Sequence, residues 1–133
     1  MTPEKAKIDR WYHFFYPFVA FFFGLCHPVK VVGAEHIPEG AALVCPNHTG
    51  LSDPFYVVLA FKRKCPLRVM AKNEVLQIPL IGRLLALVGV FGVERGRSDI
   101  GAIKRAMKFL RDGSKLLIFP EGTRVEEGEN VEA

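Results

Sequence analysis

Five short apolar segments separated by helix signals are the feature that most constrains how this chain can fold. Each segment has the length and the bounding turn residues of a buried strand, and each is too short for a typical helix. Strands that alternate with helices form a parallel sheet whose faces the helices cover. The sequence therefore predicts an α/β fold with a largely parallel sheet flanked by helices, built on strands at Val29–Gly33, Ala41–Cys45, Leu67–Ala71, Val88–Val93 and Lys115–Phe119.

Helix signals fill the gaps between these segments. Helices are predicted over 54–61 and 79–87, with a single helical turn over 72–77. Ser98 or Asp99 is the predicted N-cap of a longer helix that ends at Asp112-Gly113. In the fourth strand, glycine at positions 89 and 92 indicates close backbone approach. The predicted apolar face of the longer helix consists of Ile100, Ile103, Met107 and Leu110.

An aromatic segment, Trp11–Cys26, precedes the α/β region and contains six phenylalanines. A helix of its 16 residues would be about 24 Å long, shorter than the ~30 Å hydrocarbon core of a bilayer, and Pro17 would kink it. It fits either a core helix or a helix lying in or dipping into the membrane interface. Tryptophan and tyrosines at its start favour the interface.

Basic residues at 5, 7 and 10 precede this segment and predict a cytoplasmic N-terminus. We therefore expect residues 1–28 to form an N-terminal membrane-interface helix and residues 29–133 to form the α/β domain. The expected location is the cytoplasmic face of the cell membrane, with peripheral or monotopic attachment.

The composition fits an anionic partner. Net charge is +4 and the chain holds eleven phenylalanines, which suits a membrane surface, whereas no nucleic-acid-binding signature is present. Three cysteines without C-x-x-C spacing argue against a disulfide framework or a zinc site, and no His-Glu-x-x-His sequence indicates a metal. Cys45, at the end of an apolar segment, is predicted to fill the core.

His48 and Asp53 follow the second predicted strand and are the first candidate site. Ligands of open α/β sheets bind where the carboxyl ends of the strands meet, so a loop there is a favoured position for chemistry. A carboxylate can fix the tautomer of a neighbouring imidazole, which then acts as a general base. The alternative is that Asp53 only caps the helix that begins at Pro54 and that His48 is only a turn residue.

Two more polar segments leave strands at the same expected edge. Pro120–Arg124 follows the last strand, and Val93–Ser98 follows the fourth. Arginines in such positions suit bidentate recognition of a phosphate. Three segments with complementary chemistry indicate a site rather than unrelated surface residues.

With these motifs the sequence resembles the glycerolipid acyltransferases, in particular the 1-acyl-sn-glycerol-3-phosphate (lysophosphatidate) acyltransferases. His48 and Asp53 match the family's His-x4-Asp motif, and residues 119–124 match its Phe-Pro-Glu-Gly-Thr-Arg motif without a change. The middle motif, roughly Gly-x-Ile-Phe-Ile-Asp-Arg, fits at Gly89 and Arg95 but departs at Gly92 and Glu94. The family's fourth motif, an apolar strand centred on Val-Pro, is absent, so residues 29–133 are interpreted as the N-terminal part of the domain.

The resemblance implies transfer of a fatty acyl group from acyl-CoA or acyl carrier protein to the sn-2 hydroxyl of lysophosphatidate at a membrane surface. It implies that His48 is the general base, that Asp53 orients it, and that no cofactor or metal is needed beyond the acyl donor. Backbone amides at the mouth of the Pro54 helix could stabilise the oxyanion or bind phosphate. The implied substrate-binding residues are Arg95, Glu121, Gly122, Thr123 and Arg124.

Two alternatives remain open at the level of sequence. One is an acyltransferase with a different acceptor, glycerol-3-phosphate or another lysolipid, because short motifs do not determine the pocket that selects the acceptor. The other is a non-catalytic, membrane-binding fragment, which the missing motif suggests.

Overall fold

The computed structural model of the chain describes residues 1–94, 96 and 98–120. Within them, helices and strands alternate as the sequence predicts, except at the first predicted strand. The elements are α1 (Pro3–Cys26), a 3-10 turn (Ala34–His36), β1 (Ala42–Val44), α2 (Asp53–Phe61), β2 (Leu67–Lys72), α3 (Asn73–Leu76), α4 (Ile81–Leu87), β3 (Val90–Val93), α5 (Ile100–Arg111) and β4 (Lys115–Leu117).

The four strands form one sheet in the order β1-β4-β2-β3, and all three pairings are parallel. This confirms the predicted α/β class. Strand β4 lies between β1 and β2 and is buried along its whole length. The chain passes from β1 to β2 and from β2 to β3 in one direction across the sheet. It then returns in the opposite direction through α5 to β4, between β1 and β2. Right-handed crossovers, which parallel strands almost always adopt, then put α5 on the opposite face from α2, α3 and α4.

The predicted strand at Val29–Gly33 is wrong. Val29 and Val32 are 40% and 84% exposed, and the segment makes no ladder with any strand in the described part of the chain. Gly33 has φ +80° and introduces the 3-10 turn. A strand needs a neighbour for its backbone groups, and the outer edge of β1 has no partner strand among the described residues.

The core lies between the sheet and helices α1 and α5. Its centre is a cluster of Ile8, Phe91, Ala106, Phe109 and Leu116. The predicted inward face of α5 is right only at Leu110, which packs against this cluster, because Ala102, Ala106 and Phe109 are the buried residues of that helix. The small alanines let the helix approach the sheet closely enough for the Phe109 ring to enter the core. The predicted stripe is left largely in solvent, with Ile100, Ile103 and Met107 exposed.

Helix α1 begins at Pro3, inside the predicted helical region 1–28 and before the aromatic segment, with Thr2 as its N-cap. Its first half packs on the core. Ile8 and Tyr12 are buried, and Asp9 Oδ1 accepts a hydrogen bond from Arg68 Nη2 at 2.5 Å. This half matches the core-helix alternative rather than the interfacial one.

The second half of α1 follows α2. The ring of Phe23 stacks on that of Phe55, with centroids 4.8 Å apart. Other large side chains from the middle of α1 to its end are exposed, namely Phe14, Phe18, Phe21, Phe22 and Leu25. No helix in the described ranges is both long and apolar enough to cross a membrane.

Gly89 and Gly92 confirm the predicted close approaches. Gly89 has φ +95°, and a Cβ there would lie 2.7 Å from Arg68 Cδ. A Cβ on Gly92 would lie 2.5 Å from Asn73 Oδ1. Both positions therefore exclude a side chain because of their neighbours.

Candidate active site

The pairing of β1 with β4 brings two loops together at the carboxyl edge of the sheet. Beyond the ladder itself, Ile118 N donates to Val44 O at 2.9 Å, so the two chains leave the sheet side by side. The loop after β1 carries His48, and Phe119 follows β4. Their rings stack with centroids 4.2 Å apart and an angle of 28°. The imidazole is thus held against an aromatic wall.

One carboxylate oxygen organises the His48 loop. Asp53 Oδ2 accepts backbone N–H bonds from Thr49 at 2.6 Å and from Gly50 at 2.8 Å, and it lies 3.1 Å from His48 Nδ1. The expectation that Asp53 caps α2 is wrong, because Asp53 is the first residue of that helix and its carboxylate turns back into the loop. Pro54 follows as predicted near the start of the helix, where its missing N–H leaves no bond unmade.

This environment keeps Asp53 ionised. Partial burial raises the pKa of the carboxyl, but the hydrogen bonds from Gly50, Thr49 and His48 together outweigh it and hold the pKa below its ordinary value. A carboxylate beside Nδ1 favours the tautomer that carries its proton there. The lone pair is then on Nε2, where it can accept a proton. The side chains of His48 and Asp53 are only 15% and 19% exposed, so water screens the pair weakly.

The backbone amides at the mouth of α2 are already bonded within the chain. The amide of Asp53 donates to Gly50 O, while those of Phe55 and Tyr56 donate to Ser52 O. Pro54 has no N–H. These three amides are therefore already engaged and are not available to an oxyanion or a phosphate.

The remaining polar residues at this edge follow β2 and β3. Lys72 is the last residue of β2, is exposed, and lies in register with Val93 at the end of β3. Sequence reasoning missed it, and its signal was a lysine ending a buried strand. Asp99 organises the loop after β3, since it accepts N–H bonds from Glu94 and from Ala102. Its predicted role as the N-cap of α5 is confirmed.

Five predicted site residues lie outside the described part of the chain. They are Arg95, Glu121, Gly122, Thr123 and Arg124. The structure brings together His48 and Asp53 and adds Phe119, which the sequence marked only as part of a motif.

The structure also tests the predictions about Cys45 and about metal ligands. Cys45 is exposed rather than buried, so its predicted role as core filler is wrong, because its side chain falls beyond the end of the short strand β1. Among residues 1–94, 96 and 98–120, no three His, Cys, Asp or Glu side chains are grouped as metal ligands.

Comparison with known proteins bears on the same region. A family model described as Acyltransferase matches residues 28–133. The chain is similar to 1-acyl-sn-glycerol-3-phosphate acyltransferases of several bacteria. The one from Borreliella burgdorferi is 36% identical over 104 residues, covering 76% of this chain and 41% of the relative. That from Pseudomonas aeruginosa is 33% identical, covering 75% and 39% respectively.

The relative from Bacillus subtilis is 33% identical over 104 residues, covering 74% of this chain and 50% of the relative. The chain thus spans half or less of the length of these curated relatives. No solved structure gives a significant match.

Proposed function

Because the family model matches most of its length, the chain belongs to the acyltransferase family, and on that premise we propose that it transfers a fatty acyl group to the sn-2 hydroxyl of lysophosphatidate. The product is phosphatidate, and the donor is a thioester, acyl-CoA or acyl carrier protein. The observation that carries the proposal is the His48–Asp53 contact at the carboxyl edge of the sheet. The relatives' printed names supply the acceptor.

In the proposed reaction His48 Nε2 removes the proton from the acceptor hydroxyl as its oxygen attacks the thioester carbonyl carbon. The tetrahedral intermediate then collapses, the carbon–sulfur bond breaks, and the thiolate takes the proton back from the imidazolium. Asp53 holds the ring in the required tautomer and stabilises its charged form. General base catalysis of this kind typically contributes about 10²–10⁴-fold to the rate.

Phe119 supports this role by positioning the base. Its ring stacks on the imidazole, which leaves the ring plane fixed by two groups, the aromatic face and the carboxylate. A fixed ring directs Nε2 toward one point above the sheet edge. Orientation of this kind removes entropy from the reacting step before it occurs.

We assign the acceptor phosphate to cations that follow neighbouring strands. Arg95 follows β3 and Arg124 follows β4 by a few residues, and Lys72 ends β2 between them in the order of the sheet. Glu121, Gly122 and Thr123 shape the same pocket in this proposal. Planar guanidinium groups are suited to bidentate phosphate binding, and the lysine adds a point charge.

We further propose that the second half of α1 attaches the chain to the cytoplasmic face of the membrane. Its exposed phenylalanines support this, since burying one fully is worth roughly 1.5–3 kcal/mol. The acceptor and product both reside in the bilayer. An enzyme at the interface takes the acceptor from lipid and the thioester from water.

Thiol release from an acyl-CoA donor, with lysophosphatidate in detergent micelles, tests the reaction. We expect release that requires the acceptor and that falls by about 10²–10⁴-fold in His48→Ala, the range for loss of a general base. The matched control is His36→Ala, because His36 is exposed on the 3-10 turn and its neighbour Glu35 is its ion-pair partner. That variant should retain the rate of the parent chain.

Equal loss in both variants, or release that persists in His48→Ala, would contradict the assignment of the base. A panel containing glycerol-3-phosphate and other lysolipids tests the acceptor, and selective use of one of these would replace lysophosphatidate. Absence of release from a folded chain that still binds vesicles would favour the non-catalytic alternative.

A further inference from the structure

A short loop between α3 and α4 exposes aliphatic side chains at the edge of the sheet that carries His48. Residues 77–81 are all exposed, and Ile78, Leu80 and Ile81 are 45%, 68% and 51% exposed. Because the loop follows β2 and α3, it lies at the carboxyl edge. The His48 loop, at the same edge, also exposes a large aliphatic side chain, that of Leu51.

The backbone holds this loop in a fixed, outward conformation. Leu80 has φ +64° and ψ −55°, the strained conformation of a γ-turn, which a residue with a side chain adopts only when its surroundings impose it. The surroundings here are two short backbone bonds, from Ile81 N to Pro79 O at 2.7 Å and from Gly82 N to Ile78 O at 2.8 Å. Gly82 is buried against the carbonyl of Leu76, where no Cβ would fit. The exposure of the aliphatic side chains is therefore built into the fold.

The charged residues around the loop indicate the kind of surface it would contact. From Val75 to Val93 the sequence holds no acidic residue, and its one charged residue, Arg83, is exposed on the first turn of α4. An apolar tip with a cation one turn behind it matches the boundary between acyl chains and anionic headgroups. Helix α1, whose later residues expose phenylalanines, contacts both α2 and α4, the helix that begins at Ile81.

We propose that Ile78, Leu80 and Ile81 form a second membrane contact that inserts into the headgroup–acyl boundary of an anionic bilayer. This rests on the proposed function in one respect, the attachment of the chain to membranes, and adds its orientation. With α1 and this loop both in contact with lipid, the carboxyl edge of the sheet faces the bilayer.

Tryptophan reporters quenched by brominated lipid test the contact directly. The single native tryptophan is first removed by Trp11→Phe. Leu80→Trp then reports on the loop, Phe18→Trp on the exposed side of α1, and Met107→Trp on an exposed aliphatic position of α5, on the opposite face of the sheet. The vesicles are brominated phosphatidylcholine with and without phosphatidylglycerol, and no substrate is present.

We expect L80W fluorescence to shift to the blue and to be quenched by the brominated vesicles, more strongly when phosphatidylglycerol is present, while M107W is unaffected. Quenching of F18W without quenching of L80W would refute the second contact and leave the attachment by α1 intact. Absence of quenching in both would refute the contact and the membrane part of the proposed function together. A blue shift of L80W that depends on protein concentration, without vesicles, would show instead that a second copy covers the loop.

A charge-neutral substitution supplies a second measurement. We expect the combined I78Q/L80Q/I81Q variant to bind the anionic vesicles about tenfold or more weakly, because partitioning follows the apolar area that is buried. The matched control is I100Q/I103Q/M107Q, which changes three comparably exposed aliphatic positions on α5. Equal loss of binding in both variants, each shown to be folded by circular dichroism, would contradict the assignment of the contact to this loop.

Discussion

We expect the ion pair between Asp9 and Arg68 to contribute strongly to the packing of α1 on the sheet. Arg68 has no exposed side-chain surface, and its contact with Asp9 at 2.5 Å joins α1 to the start of strand β2. Its Nε and Nη1 have no hydrogen-bond partner among the described residues. Asp9→Asn keeps the size of the side chain but removes the negative charge. It leaves a buried guanidinium without its counter-charge.

The expected cost of this substitution is large. Removing one partner of a buried ion pair typically costs 3–5 kcal/mol, and because the Asp9 side chain is 19% exposed we expect the lower end, about 3 kcal/mol. For a domain of this size that corresponds to a fall in melting temperature on the order of 10 °C. Replacing both partners, as Asp9→Asn with Arg68→Met, should recover part of the loss because no charge is then left buried.

Urea unfolding followed by circular dichroism measures this difference. The matched control is Glu4→Gln, earlier on the same helix, where the carboxylate is 40% exposed and pairs with Lys108 and Arg105 on α5. Exposed pairs of this kind contribute less than about 1 kcal/mol. If Asp9→Asn destabilised the chain no more than Glu4→Gln, the buried pair would not be what holds the first half of α1 to the sheet.

Two further measurements test the packing of α5 and the state of Asp53. Phe109→Ala should cost about 3–5 kcal/mol of unfolding free energy, because the ring is 2% exposed and packs on Phe91. The exposed control, Met107→Ala, should cost less than about 1 kcal/mol. The reverse order in urea unfolding would contradict the packing of α5. The folded pKa of Asp53 lies below its unfolded value, near 3.9, so its contribution to stability is complete above that pH and is lost as the pH falls through the folded pKa. Asp53→Asn should remove this part of the acid dependence when urea unfolding is repeated over a series of acidic pH values, and an unchanged dependence would show that the carboxylate gains nothing from its loop.

Segments whose structure depends on local pattern and burial could be predicted from the sequence. Four apolar runs became strands of a parallel sheet, and the order of elements placed His48 at its carboxyl edge. The wrong predictions concern segments whose structure depends on another part of the fold, a pairing strand or a packing surface. Val29–Gly33 has a strand-like pattern but no pairing partner in the described part of the chain. In α5 two apolar stripes compete. The one with Phe109 packs because its small alanines let the helix approach the sheet, while Ile100, Ile103 and Met107 stay exposed.

The contact between His48 and Asp53 was predictable from their spacing, but the backbone hydrogen bonds that the Asp53 carboxylate accepts were not. Spacing alone could not distinguish a cap on α2 from a carboxylate that turns back to bind Thr49 and Gly50, because the backbone path of the loop decides which amides are available. The same holds for Phe119. Its stacking on His48 depends on β1 lying beside β4, a pairing between segments far apart in the chain.

A membrane-bound acceptor makes one geometric demand on the two proposed lipid contacts. If only the second half of α1 touched lipid, rotation about that helix would leave the height of His48 above the bilayer undetermined. The proposed second contact at Ile78–Ile81 would remove this freedom because it lies at the same sheet edge as His48 and on a hydrogen-bonded turn. The hydroxyl of lysophosphatidate lies beside its phosphate at the level of the headgroups. In the proposed reaction, a base held at that level by Asp53 and Phe119 would meet the hydroxyl without lifting the acyl chain out of the bilayer, which would cost about 0.8 kcal/mol for each CH₂ exposed to water.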